Sequence, residues 1–138
     1  MYPEELIAPM RAELTEAGFK EFRSAQDVED HLSEHKGTTF IVVNSVCGCA
    51  AGAARPGVRA ALEKSAKSPD VLATVFAGND ADAVAKFREL VLPYPPSSPA
   101  MALFKDGELV HFIERHHIEG RNAQMIGDHL VEVFEHFC

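Results

Sequence analysis

Residues 38–43 read TTFIVV, an apolar and β-branched run with no polar residue at every second place. A strand with one wet face alternates, whereas a strand covered on both faces does not. This run therefore predicts a central strand with helices packed above and below it. The segment VLATVF, residues 71–76, predicts a second one. The remaining segments supply the cover. Pro3 to Ala17 carries Leu6, Ile7, Met10 and Leu14 at helical spacing and is closed by Gly18. Phe19 and Phe22 fall in a segment that reads as an edge strand or a turn. Ser24, with Asp27 three residues on, opens a second helix that carries Val28 and Leu32 and ends at Gly37. A helical stretch to about Ser68 has Val58, Ala61 and Leu62 on its inner face, with Gly52 and Pro56–Gly57 expected to bend or interrupt it. Asp80 to Leu92 is a further helix, with Ala81, Val84, Phe87, Leu90 and Val91 expected inward.

The last third changes character. After the turn-rich PYPPSSP, Ala100–Phe104 and Glu108–Ile113 flank Asp106–Gly107, a hairpin signal. Asn122 then opens a final helix with Ile126, Leu130, Val133, Phe134 and Phe137 on one side. Strands alternating with helices and ending in a hairpin imply an α/β fold, a central mixed β-sheet flanked by helices. The length of 138 residues fits a single domain, 1–138. The net charge of −8 argues against nucleic acid as a partner. No apolar run approaches the length of a membrane span. The N-terminus lacks the basic and apolar blocks of a secretion signal, so a cytoplasmic location is expected. Three cysteines in a reducing compartment read as catalytic or metal-binding, not as a disulfide framework.

Two of those cysteines stand one residue apart in VNSVCGCAAGAARPG, residues 43–57. Cys47 falls where a strand gives way to a helix. A helix N-terminus offers unpaired N–H groups and a partial positive charge, which stabilise a thiolate and lower its pKa. The thiolate is the nucleophile in disulfide exchange. Gly48 leaves the backbone free for close approach of a substrate sulfur, and the small residues AAGAA keep the surroundings open. A second reading has Cys47 and Cys49 share a metal ion with His116, His117 or Cys138. Its spacing is shorter than the two to four intervening residues usual in zinc pairs.

The layout resembles the thioredoxin fold, in which a redox cysteine opens a helix after a central strand and a cis-proline loop lies opposite. SSPAMALFKDGELVHFIE is similar to the second half of that fold, with Pro99 at the cis-proline and Ser98 before it. More closely, VNSVCGCAAGAARPG and IERHHIEGR resemble the bacilliredoxin family, also described as putative disulfide isomerases, across essentially the whole chain. The resemblance implies a thiol–disulfide oxidoreductase that takes bacillithiol, a low-molecular-weight thiol, from mixed disulfides on client proteins. It implies that Cys47 attacks, that Cys49 is the second cysteine, and that Ser98 and Pro99 lie beside the thiol and contact substrate. No metal or organic cofactor is implied, only bacillithiol as co-substrate. A general disulfide isomerase or reductase, and a metal-binding or scaffold protein using Cys47 and Cys49, stand as alternatives.

The remaining polar residues have plainer expectations. Cys138 reads as a frayed end. His116 and His117, with Glu114, Arg115 and Glu119 beside them, read as a solvated turn. Arg55 reads as an arginine on an exposed helix face, though one able to attract an anionic thiol. Asn44 and Ser45 read as supports that hydrogen-bond the loop holding Cys47. The oligomeric state is not legible.

Overall fold

The computed structural model describes residues 1–34 and 36–138, with side chains for all of these except 33 and 34. Five strands form one sheet in the order β1-β3-β2-β4-β5. Strands β1 (Lys20–Glu21), β3 (Val71–Phe76) and β2 (Thr38–Asn44) run parallel. Strand β4 (Ala100–Lys105) runs antiparallel to β2, and β5 (Glu108–Ile113) antiparallel to β4. Two reversals make β5 point the same way as β2, so the C-terminal ends of both lie at one end of the sheet. The hairpin turns at Asp106 and Gly107, both with positive φ (52° and 83°), as a two-residue turn of this kind requires. A register shift between Leu103 and Phe104 bulges the β4–β5 pair.

All of β2 is buried. Phe40 and Val42 point to one face, where they meet α3 (Arg55–Lys64) and α5 (Ala123–Phe137). Ile41 and Val43 point to the other, beneath α2 (Ala25–Glu34) and α4 (Ala81–Leu90). Burying each such side chain contributes about 1.5–3 kcal/mol, which is why the run tolerates no polar alternation. Helix α1 (Glu4–Thr15) adds Leu14 to the first face. Its Arg11 is buried and donates to Asp80 (2.9 and 3.0 Å), Glu4 and Glu21. That guanidinium also lies 5.2 Å from the centre of the Phe76 ring.

The irregularity expected at Gly52 and Pro56–Gly57 takes the form of a π-helical turn, Ala50–Ala54, that runs directly into α3 without breaking the helical path. A proline has no N–H for the carbonyl four residues back and its ring crowds that carbonyl; the wider turn accommodates both. The helix then stops at Lys64, with Ser65 already extended, short of Ser68. In α4, the stripe through Val84, Phe87 and Val91 takes in Ala83 and leaves Ala81 and Leu90 exposed at its margins. The second helix is described from Ala25 to Glu34; residue 35, before Gly37, lies outside the described residues. Ser24 accepts the Asp27 N–H at 3.1 Å, the cap its sequence implies.

Helices α3 and α5 pack very closely. A Cβ on Gly57 would lie 2.7 Å from Cβ and Cγ2 of Ile126, so only glycine permits this approach. Gly127 faces it from α5, where a Cβ would come 3.3 Å from the Gly57 carbonyl oxygen.

Candidate active site

The loop after β2 is anchored from below. Asn44 Oδ1 accepts from the Ser45 N–H (2.9 Å) and from Arg55 Nη1 (2.9 Å), while its Nδ2 donates to the Met10 carbonyl (3.1 Å). Arg55 also donates to the Ser45 carbonyl (2.7 Å) and to Glu13 (2.9 Å). Asn44 and Ser45 thus support the loop as their sequence suggests. Arg55 does not sit on an exposed face: it is 2% exposed. Three acceptors beneath the loop satisfy its guanidinium, which is the condition for burying one. It therefore holds the loop and does not face an incoming thiol.

Cys47 and Cys49 are free, half-buried thiols with their sulfurs 2.8 Å apart. The Cys47 carbonyl accepts the N–H groups of Ala50 (3.1 Å) and Ala51 (3.2 Å), so the chain winds into its helix from this residue. Ser45 Oγ accepts the Cys47 N–H at 3.3 Å. Burial pushes the Cys47 pKa up, but donation from the Cys49 thiol, the Ala50 N–H, the Ser45 hydroxyl and the Cys49 N–H outweighs it, and the value falls below that of an ordinary thiol. Cys49 moves the other way. Burial, its donation to Cys47 and repulsion from the Cys47 charge raise it, and Arg115 only partly offsets them. The pair is chemically asymmetric: one sulfur set to ionise, its neighbour set to hold a proton. Gly48 between them is exposed, with no atom within 4 Å of the place a Cβ would take, so the surface over the pair is open.

The Ser98–Pro99 peptide is cis, and so is Leu92–Pro93, which carried no sequence expectation. Ala100, next after Pro99, pairs with Val43, one residue from the end of β2. The proline loop therefore sits at the end of the sheet from which the cysteine loop emerges.

A residue that the sequence reading left in a solvated turn holds the proline loop and acts on the cysteine pair through its charge. Arg115 donates from Nη1 to the Ser98 carbonyl (3.0 Å) and from its N–H to Ser97 Oγ (3.3 Å), and its Nε pairs with Glu119. Its charge favours the ionised form of Cys49, while its own charged form is favoured first by the Glu119 hydrogen bond and then by Cys49 and Cys47. Its signal was topological: it follows β5, whose end must reach the cysteine end of the sheet.

His116 and His117 are exposed, in a 3-10 turn (Arg115–His117), as expected of a solvated turn. His117 Nδ1 accepts the Glu114 N–H at 3.2 Å. Among the described residues, Glu114, His116 and His117 bring ligand-type atoms within 4.8 Å of one another; neither Cys47 nor Cys49 belongs to that group. Cys138 is not frayed. It is half-buried against the core at the end of α5, near Thr38, Asp70 and Lys105. Those residues mark the start of β2 and the end of β4, so Cys138 lies at the end of the sheet opposite to Cys47, and burial raises its pKa.

Residues 2–138 match the disulphide isomerase family. The chain is 63% identical over 135 residues to a bacilliredoxin of Cytophaga hutchinsonii, with 98% of each chain covered. It is 53% identical over 137 residues to a bacilliredoxin of Bacillus licheniformis, covering 99% of this chain and 95% of that one. Among solved structures it is similar to the thioredoxin of Fasciola hepatica, with a TM-score of 0.60 and 21% identity, covering 87% of this chain and 100% of that one. That likeness shows the thioredoxin fold.

Proposed function

The chain belongs to the bacilliredoxin (disulphide isomerase) family of thiol–disulfide oxidoreductases, and on that premise we propose that it removes bacillithiol from mixed disulfides on client proteins, using Cys47 and Cys49. The observation that carries this reading is the opposed acidity of two thiols whose sulfurs are 2.8 Å apart. The Cys47 thiolate attacks the bacillithiol sulfur of the mixed disulfide. The client leaves as a thiolate, reduced, and Cys47 takes over the small thiol. Cys49, once deprotonated, then attacks the Cys47 sulfur, releases bacillithiol as a thiolate and leaves a Cys47–Cys49 disulfide; alternatively a second low-molecular-weight thiolate attacks the bacillithiol sulfur, forms a small-molecule disulfide with it and returns Cys47 as a thiolate. The electrons come from thiols, so no metal or organic cofactor enters. Gly48 offers the open approach, and Ser98 and Pro99 form the wall against which the client chain lies. No helix among the described residues is long and apolar enough to cross a membrane, and the reading places the reaction in the reducing cytoplasm.

The family's description favours a second reading, general disulfide isomerisation. One experiment separates the two. The protein is incubated with a bacillithiolated client and, in parallel, with a scrambled-disulfide client, and products are followed by mass spectrometry. The proposal expects the client's bacillithiol to be lost, Cys47→Ser to abolish that loss, and Cys49→Ser to accumulate bacillithiol on Cys47. Turnover of the scrambled client alone, with the bacillithiolated one intact, would replace it with the isomerase reading.

A further inference from the structure

On the α5 side of the sheet, two histidines meet tip to tip. His111 on β5 and His129 on α5 bring their Nε2 atoms to 3.1 Å. We propose that this pair forms a binding site for a borderline divalent metal ion of the zinc class. The proposal is independent of the redox reading.

At 3.1 Å the two nitrogens carry one hydrogen bond: one Nε2 donates and the other accepts. The same separation is also an edge of a metal coordination polyhedron. With Zn–N distances of about 2.0–2.1 Å, nitrogens that far apart subtend an angle of about 98° at the ion, close to both tetrahedral and octahedral values. The ion then replaces the shared proton, which moves to Nδ1 of the donor ring, and each ring turns so that its Nε2 lone pair points at the ion and not along the line between the nitrogens. Burial lowers the pKa of both rings and so favours the neutral form, the one that ligates. The pair opens on a cavity of about 280 Å³ lined also by His117, Arg121 and Ile126, which gives room for water or a small anion at the remaining positions. Imidazole ligands suit zinc, copper and nickel, and with no carboxylate on the cavity wall nothing recruits calcium or magnesium. Arg121 stands against a cation here, so the site is a modest binder that keeps open positions.

The test uses the tag-free full chain carrying Cys47→Ser and Cys49→Ser, so that thiols do not compete, titrated with Zn2+ by calorimetry and by NMR of the histidine rings. One ion per chain is expected, with the His111 and His129 ring signals shifting together and Ca2+ producing no shift. His129→Gln keeps a hydrogen-bonding partner for His111 but removes a ligand. It should weaken Zn2+ binding by at least the roughly tenfold that loss of an outer-sphere partner alone costs, with the melting temperature of the metal-free protein unchanged. His116→Gln, on the exposed turn, should bind as before. Equal affinity in His129→Gln, or loss of binding in His116→Gln instead, would overturn the proposal and leave the pair as a hydrogen bond that joins strand to helix. Absence of Zn2+ binding in the parent chain would do the same.

Discussion

Cys47 and Cys49 are the same residue type in almost the same place, and their neighbours drive them apart. The lowered pKa of Cys47 fixes the sign of a pH effect: its thiolate, and so its reactivity, is present above a value below the ordinary ~8.5 and is lost as pH falls through it. The alkylation rate of Cys47 against pH should show that lowered midpoint. Cys49→Ala, which removes the donor, should move the midpoint up; a serine would not serve, because its hydroxyl still donates. Arg115 acts on the second thiol. Arg115→Gln should slow release of the small thiol from Cys47 by about two- to fivefold, the scale of an exposed charge interaction, and leave the first attack nearly unchanged; rapid-mixing kinetics of the two steps would read this. The cysteines were legible because CGC after an apolar run is a local pattern. Arg115 was not, because its contact with Ser98 depends on where two distant loops end. Arg55 was misread for a related reason: its acceptors lie on α1 and on the loop after β2.

Elements were legible wherever their signal was local. The hairpin at Asp106–Gly107, the cap at Ser24 and the strand VLATVF stand where the sequence puts them. The π-helical turn was not legible, since Gly52 and Pro56 say only that something must yield and not that the helix will widen. The close crossing of α3 and α5 gives the element scale its own prediction. Replacing a helical glycine by alanine gains up to about 1 kcal/mol of propensity, so only a real clash reverses the sign. At Gly57 the new Cβ would meet Ile126 at 2.7 Å and the Ala123 carbonyl oxygen at 3.1 Å. Gly57→Ala should therefore destabilise by about 1–3 kcal/mol, the range of overpacking. Gly127→Ala meets its neighbours at 3.3 and 3.4 Å and should stay within about 1 kcal/mol of the parent. Urea unfolding of the two variants side by side would decide it.

For the whole molecule, the buried Arg11 joins α1, β1 and the turn that precedes α4. Nothing local in residues 11, 21 and 80 announces the joint; it exists only once the sheet has brought β1 beside β3. Asp80 accepts both from Arg11 and from the Phe76 N–H (3.0 Å), so Asp80→Ala strands a buried backbone donor and takes the one buried carboxylate from Arg11, leaving it only the more exposed Glu4 and Glu21. A loss of about 3 kcal/mol is expected, read as a lower denaturation midpoint with the slope unchanged. The α/β layout with its mixed sheet was legible from hydrophobic period and turn signals, and the thioredoxin fold from the resemblance carried by the cysteine and proline segments, while the joints that lock it were not. The sheet's two borders carry one more consequence. One border is β1, two residues long and charged, Lys20 and Glu21; the other is β5, thrown out of register by the bulge opposite Leu103 and Phe104. Long, flat borders recruit further strands, and short, charged or twisted ones refuse them. On the proposed reaction, the protein meets an extended segment of a client chain at each encounter. Borders like these let it trade sulfur with such a chain and still let go of its backbone.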